Sequence, residues 1–428
     1  MLLIHTQTTT RLDYVFKHIC TRILGVKVEF TTVIESFIAH TGPKISYGKQ
    51  PIGNELFFQS FGLLEESGIE DLEIQVEKWE DGIGFFPVSD NSALPYDIFS
   101  AAFYLLSRYE EYLPHLKDEL GRFPAESSLA CQAGFLNRPV VDEWAYEFQK
   151  VLLEQFPEME FISRRLKIHH LVDASQPFAY SQKGFLRNFA GYFQDLSKFR
   201  IKNILQRTRV LIKLRKDPFD TFAWMVNSAR NTNHRLSVFF RLGEAYTFME
   251  GLNAKREKFR LLVKFVSDYA EVGLVFSYHS LKNNEMMKAE KKRMEELTRR
   301  SLGSSMFDKF IIDLPTHYRN LLELEVGKDI TMLYEGHLGF RASTCTPFLF
   351  YDLDYEIKTP LIVHPVAGTT LTKKKRTRSE LESEVEQLFN SVQQVGGTFS
   401  LLFNNRDFQA KSVFWPRIFS DNTILPIS

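Results

Sequence analysis

Short apolar segments alternate with amphipathic helical patterns from about residue 165 onward, and this rhythm restricts the fold more than any other feature of the chain. Such alternation is typical of β/α units, which build a largely parallel sheet or barrel. Gly396 and Gly397 end the last helical pattern, as glycines commonly do at helix stops. The predicted strands are 166–172, 236–240, 272–276, 310–313, 331–334, 360–363 and 398–403, and the predicted helices between them include 258–269, 285–300 and 380–395.

Residues 1–162 mix helix and strand signals instead of alternating regularly. Apolar spacing predicts helices over 11–24, 95–112 and 143–156 and strands over 27–33 and 54–63. A chain of 428 residues is long enough for two domains, each with its own core. We therefore predict an α/β fold with an N-terminal α/β domain at 1–162 and a distorted (β/α) barrel at 163–428, joined near 156–165.

Composition and charge exclude several classes of protein. The chain is 44% hydrophobic, with 39 phenylalanines, which is typical of a folded globular protein and not of a disordered one. Its 53 basic and 53 acidic residues cancel, so no overall field attracts nucleic acid. The basic cluster at 373–378 has no interleaved aromatic residues and is interpreted as a solvated loop. No nucleic-acid partner is expected.

The cysteines and the N-terminus indicate the compartment. Cys20, Cys131 and Cys345 are far apart and odd in number, which fits buried thiols in a reducing cytoplasm better than disulfides or a zinc site. The first residues lack the basic and long apolar stretches of a signal peptide, and no uniformly apolar window is long enough to span a membrane. These features predict a cytoplasmic protein.

Candidate site residues lie where predicted strands end, because parallel β/α folds collect their chemistry on the loops at the carboxyl ends of strands. Asp173 follows the first strand of the second half, and Ser175 lies two residues later. An α/β enzyme would normally present an acidic pair to a metal at such a position. Only one acid is present in this sequence.

Four longer motifs resemble the NodB-like polysaccharide deacetylases, and more closely a bacterial subgroup in which such a domain follows an uncharacterised N-terminal domain. The resemblance covers nearly the whole chain and implies that the barrel at 163–428 is of the polysaccharide deacetylase type. The matching segments are FLNRPVVDEW (135–144), QPFAY (176–180), DPFDTF (217–222) and GFRASTCTPF (339–348).

The resemblance implies a divalent metal, usually zinc, that is held by one Asp and two His, with a carboxylate as base and a His as acid. The metal would polarise the acetyl carbonyl and activate water, while the base and the acid move protons. In this sequence the base position is Asp173 and the position of the metal-binding acid is Ser175; an alignment shifted by one step makes Asp173 the second acid and Leu171 the first. Either alignment lacks one carboxylate.

The positions implied for the two histidine ligands are Val275 and His279, and we interpret His279 as a loop or surface histidine. The position of an orienting arginine matches Met306, next to the polar Asp308. The acid position matches Phe403, and Asn404 is the nearest polar group. Valine and phenylalanine offer neither a metal ligand nor a transferable proton. A displaced site stays open as an alternative and would draw on His169, His170, His279, Asp308 or His364.

Arg341 keeps its place within the well-matched segment 339–348, with Thr344 and Thr346 nearby. A guanidinium at a strand end can bind a sugar hydroxyl or carboxylate through two donors. The other interpretation is that Arg341 pairs with Asp352 or Asp354 and holds the loop. Both interpretations stay open.

A basic run from Lys183 to Lys216 contains interleaved aromatic residues. Such a surface could contact anionic lipid or an acidic polysaccharide, as basic amphipathic helices do. We favour the alternative, in which a helix packs its aromatic face on the barrel and leaves its basic face in water.

The sequence thus predicts a deacetylase-like protein with a degenerate metal site, expected to hold no cofactor and to act as a non-catalytic glycan-binding or scaffolding component of polysaccharide or capsule biosynthesis. Its partners would be a glycan and other glycan-biosynthesis proteins. One alternative is an active N- or O-deacetylase that uses Asp173 as base with a displaced metal site or no metal, and another is an interaction protein whose function lies in residues 1–162. The predicted cleft residues are Asp173, Ser175, Asp308, Arg341, Thr344 and Asn404.

Overall fold

The computed structural model describes residues 1–80, 82–242, 256–371, 377–409 and 413–420. Within these ranges the chain forms fourteen β-strands and thirteen α-helices. The strands are β1 (Leu2–Ile4), β2 (Glu29–Thr31), β3 (Lys44–Gly48), β4 (Leu56–Gln59), β5 (Glu77–Trp79), β6 (Gly82–Gly84), β7 (Lys167–Asp173), β8 (Arg235–Arg241), β9 (Glu271–Phe276), β10 (Ser304–Phe307), β11 (Lys328–Asp329), β12 (Phe348–Asp352), β13 (Ile357–Val363) and β14 (Thr398–Asn404).

The helix predicted over 95–112 spans only Ile98–Leu106, and none of the described helices is long and apolar enough to cross a bilayer. They are α1 (Thr10–Phe16), α2 (Ile34–Ala39), α3 (Ile98–Leu106), α4 (Leu129–Gln132), α5 (Val140–Gln155), α6 (Phe185–Ser197), α7 (Ile201–Leu211), α8 (Phe222–Thr232), α9 (Glu257–Tyr269), α10 (Asn284–Thr298), α11 (Thr316–Glu323), α12 (Arg378–Gln394) and α13 (Phe414–Ser420). The basic residues 373–376 lie outside the described residues.

The first part of the chain contains a parallel sheet with the order β2-β1-β3-β4. The helix predicted over 11–24 is α1 followed by a π-helical stretch, Lys17–Ile23. One buried apolar cluster runs from Leu3 in this region to Phe419 near the end of the described chain. Arg11 forms a salt bridge with Glu356, and Tyr14 donates to the carbonyl of Leu349 at 2.8 Å. The two parts of the chain therefore pack on one continuous core, and a domain boundary near residue 162 stays a prediction.

The second part of the chain folds into a curled sheet, which we call the half-barrel. Among the described residues it has eight strands in the order β12-β13-β11-β10-β9-β8-β7-β14, all parallel except β12. The segment after β13 then crosses to the other edge, where Ala367 N donates to Ser400 O at 2.8 Å and Leu402 N donates to Gly368 O at 3.0 Å. These bonds draw the two edges of the sheet together. The predicted mixed α/β architecture with a largely parallel sheet is confirmed.

Side chains fill the half-barrel in three layers, because residues two apart on a strand point to the same face. The middle layer is apolar and forms a cluster separate from the main core. Gly273 makes room for it, since a Cβ there would lie 2.3 Å from the ring of Phe239. The middle layer contains Leu171, Phe239, Val275, Met306, Phe310, Ile330, Leu333, Val366 and Leu402.

Two predicted strands are displaced. The predicted strand 310–313 is wrong, because the strand at that place is Ser304–Phe307 and an irregular turn follows it. The predicted strand 331–334 is wrong as well, because the strand at that place is Lys328–Asp329 and ends before residue 331. Ser304 and Ser305 are fully buried although they are polar. Burial of this strand is decided by its neighbours in the sheet, which local hydrophobicity does not reveal.

The packing predicted for the basic run 183–216 is also wrong. This segment forms α6 and α7, and the phenylalanines of α6 are exposed to solvent instead of packed on the half-barrel. The buried residues of the two helices are mostly polar, namely Asn188, Asp195 and Arg207. Hydrogen bonds between polar groups, and not an apolar seam, hold the two helices.

Candidate functional site

Asp173 is the last residue of β7 and lies in register with Asn404, the last residue of β14. The backbone N–H and the hydroxyl of Ser175 both donate to Asp173 Oδ1, at 2.8 and 2.6 Å. This local turn is one that aspartate readily forms with residues just after it. The structure thus brings three predicted site residues to the same end of the half-barrel, which we call the rim.

A salt bridge occupies the rim beside them. Arg241, the last residue of β8, donates through Nη2 to Oδ1 of Asp308, which directly follows β10. Asp308 is 6% exposed. Sequence analysis proposed Asp308 and missed Arg241, although Arg241 lies two residues after the inward-facing Phe239 and so shares its face.

A second carboxylate approaches Asp173 from the loop after β14. Asp407 Oδ2 accepts hydrogen bonds from the Asn404 N–H at 2.8 Å and from the Thr370 hydroxyl at 2.5 Å. Burial raises the pKa of Asp407, and the negative charge of Asp173 raises it further. Asn404 in turn accepts from Arg406 Nε at 2.9 Å through its own Oδ1. No sequence signal distinguished Asp407 from other loop carboxylates.

The side chains at the implied metal-ligand positions do not fit an Asp-His-His zinc site. Val275 lies in the apolar middle layer beside Met306, and it has no atom that can coordinate a metal. His279 is exposed, in the loop after β9. The Ser175 hydroxyl is directed at Asp173. No step of a metal-dependent mechanism is derived for these residues.

The position that the resemblance implies for the acid holds a phenylalanine. Phe403 points away from the interior and packs against Phe408, Trp415 and Phe419, with ring centroids 5.3 to 6.0 Å away. Its neighbour Asn404 faces the rim in its place. A phenyl ring in such surroundings has no proton to transfer.

The residues proposed for a displaced metal site are spread over several places. His169 and His364 lie together in the layer beneath the middle one, with ring centroids 5.0 Å apart. His170 faces the other side of β7, where it stacks on Phe419 at 4.1 Å. Asp308 and His279 follow the carboxyl ends of β10 and β9, whereas His169 lies near the amino end of β7.

Arg341 and Thr344 are bound to the first part of the chain. Arg341 is 2% exposed and donates to both oxygens of Glu111, at 2.9 and 2.6 Å. The predicted pairing with Asp352 or Asp354 is wrong, since both accept from Arg319. Thr344 is fully buried and donates to the equally buried Asp142 at 2.6 Å.

A cleft of ≈ 250 Å³ lies between the loop 118–126 and the loop after β11. Phe310 lies on its wall and follows Asp308 by two residues, so the cleft adjoins the rim. Arg122 crosses it, donating to the Lys309 carbonyl at 2.7 Å and to Glu335 at 2.9 Å. Other lining residues are Phe123, Glu126, Leu333, Tyr334, His337 and Arg341.

The first part of the chain matches a family of unknown function, DUF7033, over residues 1–157. No curated protein matches the chain. Among solved structures, one described as a "putative polysaccharide deacetylase" from Mycobacterium smegmatis is 11% identical, with a TM-score of 0.37, and the match covers 57% of this chain and 78% of that one. A CE4 family pseudoenzyme, in a mutant form with restored enzymatic activity, is 8% identical with a TM-score of 0.26 over 57% and 70% of the two chains. A further mutant of a CE4 family pseudoenzyme matches at 8% and 0.26 over 56% and 66%.

Matches of this size do not decide the activity of this chain. What the rim itself offers is a set of hydrogen-bonding groups, with carboxylates at Asp173 and Asp407, an amide at Asn404 and guanidinium groups at Arg241 and Arg406. Such convergent polar groups above an apolar floor are suited to binding a polyhydroxylated ligand.

Proposed function

We propose that the protein is a polysaccharide deacetylase-like component of glycan or capsule biosynthesis that binds an N-acetylated polysaccharide at the rim without metal-dependent hydrolysis. The observation that carries the proposal is the apolar packing around Val275 and Phe403, the positions implied for a metal ligand and for the acid. Apolar side chains surround Val275, so no change of rotamer brings a donor there. The imidazole beside Phe403, that of His170, lies 5.5 Å from its ring and is stacked on Phe419.

The polar groups of the rim support a binding role. Asp173 and Asn404 lie on the neighbouring strands β7 and β14, Arg241 ends the next strand, β8, and Asp308 follows β10. Sugars are recognised by planar, bidentate polar groups of this kind together with aromatic surfaces. The adjoining cleft supplies Phe123 and Tyr334. The four sequence motifs that resemble the deacetylases add independent support.

Strand β8 provides a matched pair of variants to test binding, since it carries an arginine at each end. Arg241→Ala is expected to weaken binding of an N-acetylated oligosaccharide about tenfold, the size of one charge-assisted hydrogen bond. Arg235→Ala removes the same side chain at the other end and should leave the affinity unchanged. Titration calorimetry of the full-length variants measures both. Equal affinities for the two variants would argue against a glycan site at the rim.

A second measurement separates binding from catalysis. The protein, equilibrated with zinc and dialysed, is expected to release no acetate from the same oligosaccharide and to retain no stoichiometric zinc. Bound zinc together with acetate release would overturn the non-catalytic proposal and favour the hydrolase that uses a displaced site.

A further inference from the structure

Helices α6 and α7 form a hairpin that presents its apolar side chains to solvent. Among them Phe185 is 83%, Phe189 65%, Phe193 72% and Phe199 88% exposed. Ile201 and Leu205 of α7 continue this surface, at 63% and 53% exposed. An exposed patch of this kind on a folded protein usually marks a contact with another molecule or with a membrane.

The orientation of the hairpin is fixed by a polar contact between its helices. Arg207 of α7 donates to Asp195 of α6 at 2.7 Å, and its guanidinium lies over the rings of Tyr180 and Tyr192, at 4.8 and 5.4 Å. Gly191 makes this approach possible, because a Cβ there would lie 2.2 Å from the guanidinium. In most water-soluble proteins the inner side of such a hairpin is apolar. Here the inner side is polar, and the apolar side is directed to solvent.

The exposed apolar surface is bordered by positive charge. Between Lys183 and Lys216 the sequence has ten basic residues and one acidic residue, Asp195, which is buried in the salt bridge with Arg207. On α7 the exposed Lys202 and Arg209 lie along one side of the apolar stripe, seven residues apart, and the exposed Lys213 follows just after the helix. No acidic side chain faces outward from this segment.

We propose that α6 and α7 dock the protein on an anionic lipid surface. The helices have 13 and 11 residues, too short to cross a bilayer, so they would lie in the plane of the interface with their phenylalanines among the acyl chains. Basic side chains beside such an apolar face attract anionic headgroups. A second copy of the chain is a poorer fit, because it would bring two surfaces with the same positive charge together.

The hairpin also has a defined place relative to the rim. It is inserted between β7 and α8, after Asp173, and Asp217 at its far end accepts from the N–H groups of Ala179, Tyr180 and Ser181 at 2.7, 2.9 and 2.9 Å. These bonds tie both ends of the hairpin together at the carboxyl end of β7. Docking would therefore turn the rim toward the lipid surface, whether or not the rim binds glycan.

Cosedimentation of the full-length protein with lipid vesicles tests the proposal. Vesicles of phosphatidylcholine mixed with phosphatidylglycerol in equal parts are compared with vesicles of phosphatidylcholine alone. The protein is expected to bind the anionic vesicles at least about tenfold more tightly and to lose this preference in high salt. The triple variant Lys202→Gln, Arg209→Gln, Lys213→Gln should weaken anionic binding by about a hundredfold, at about fivefold per charge.

A second triple variant, Phe185→Ser, Phe189→Ser, Phe193→Ser, removes the apolar contact and should abolish sedimentation. Its matched control is Ile38→Ser, Leu116→Ser, Leu261→Ser, which changes three equally exposed apolar residues elsewhere and should bind as the unchanged protein does. Failure to bind anionic vesicles, or equal losses in the two serine variants, would overturn the proposal. A concentration-dependent dimer that only the phenylalanine variant abolishes would also overturn it and would identify a second copy as the occupant. Glycan binding is measured separately and does not enter this test.

Discussion

The two ends of the half-barrel are both polar, yet they are built differently. Strand β8 carries Arg235 at one end and Arg241 at the other. Near Arg235, Glu271 accepts from Arg235 Nη2, Ser237 Oγ and Lys328 Nζ at 2.9, 2.9 and 2.8 Å, forming what we call the basal layer together with His169 and His364. Near Arg241 its salt bridge with Asp308 lies beside carboxylates on loops.

The basal layer contains more hydrogen bonds among its own members than the rim does. His169 Nε2 lies 2.8 Å from the Ser237 hydroxyl, and His364 Nε2 lies 2.8 Å from that of Ser400. In parallel β/α folds the amino ends of the strands serve stability and the carboxyl ends carry function. The comparison indicates that polarity alone does not mark a site, because both ends of the half-barrel are polar.

Electrostatics separates the two ends further. Burial lowers the pKa of His169 to about 2 and that of His364 to about 3, and for His169 the neighbouring His364 contributes as well. Burial alone would raise the pKa of Glu271, but the hydrogen bond and the charge of Lys328 outweigh it and lower the pKa to about 2. The basal layer thus contains neutral imidazoles at His169 and His364 and an ionised carboxylate at Glu271.

Lowering the pH should give the largest change in unfolding free energy that we expect from the basal layer. Both histidines bind protons more weakly in the folded chain than in the unfolded one. Their contribution to the unfolding free energy is therefore full above about pH 6.5 and is lost as the pH falls toward 3. Each should remove about 1.4 kcal/mol of unfolding free energy per pH unit, or about 4 kcal/mol for both by pH 5. Urea unfolding across this range measures the slope. The double variant His169→Gln, His364→Gln should flatten it, and an unchanged slope would contradict the assignment.

Glu271→Gln tests the basal layer at constant pH. The substitution leaves Lys328 without its charged partner, and we expect the unfolding free energy to fall by about 2 kcal/mol, between the losses for exposed and buried pairs, because both side chains are partly buried. Adding Lys328→Met should restore part of it, because the uncompensated charge is then removed. If the double variant were less stable than the single one, the salt bridge would not be the source of the loss.

Asp173→Asn gives the smallest stability change and tests the rim. Asp173 is only half-buried, and an asparagine can still accept from Ser175, so the unfolding free energy should change by less than about 1 kcal/mol. Affinity for an N-acetylated oligosaccharide should nevertheless fall about tenfold, as measured by calorimetry. An unchanged affinity would indicate that the rim, like the basal layer, serves only the stability of the fold. If the unchanged protein released acetate and the variant did not, Asp173 would act as a base.

Several strands and helices could be predicted from the sequence because their patterns are local. Helices α9, α10 and α12 lie within two residues of the predicted spans, since their apolar faces repeat at helical spacing. Strand β10 was displaced because Ser304 and Ser305 are polar, and its burial depends on β9 and β11 on either side. Arg241 was missed because its partner, Asp308, is 67 residues away.

The sequence alone determined the parallel β/α order and the absence of a donor at two positions that the resemblance implies, since Val275 and Phe403 cannot bind a metal or transfer a proton in any fold. Tertiary structure decided which charges meet, as with Arg341 and Glu111, which are 230 residues apart. It also decided which face of α6 is exposed, because an amphipathic pattern specifies that two faces differ and not which one is covered. Both decisions depend on contacts between distant segments, and local spacing carries no information about those contacts.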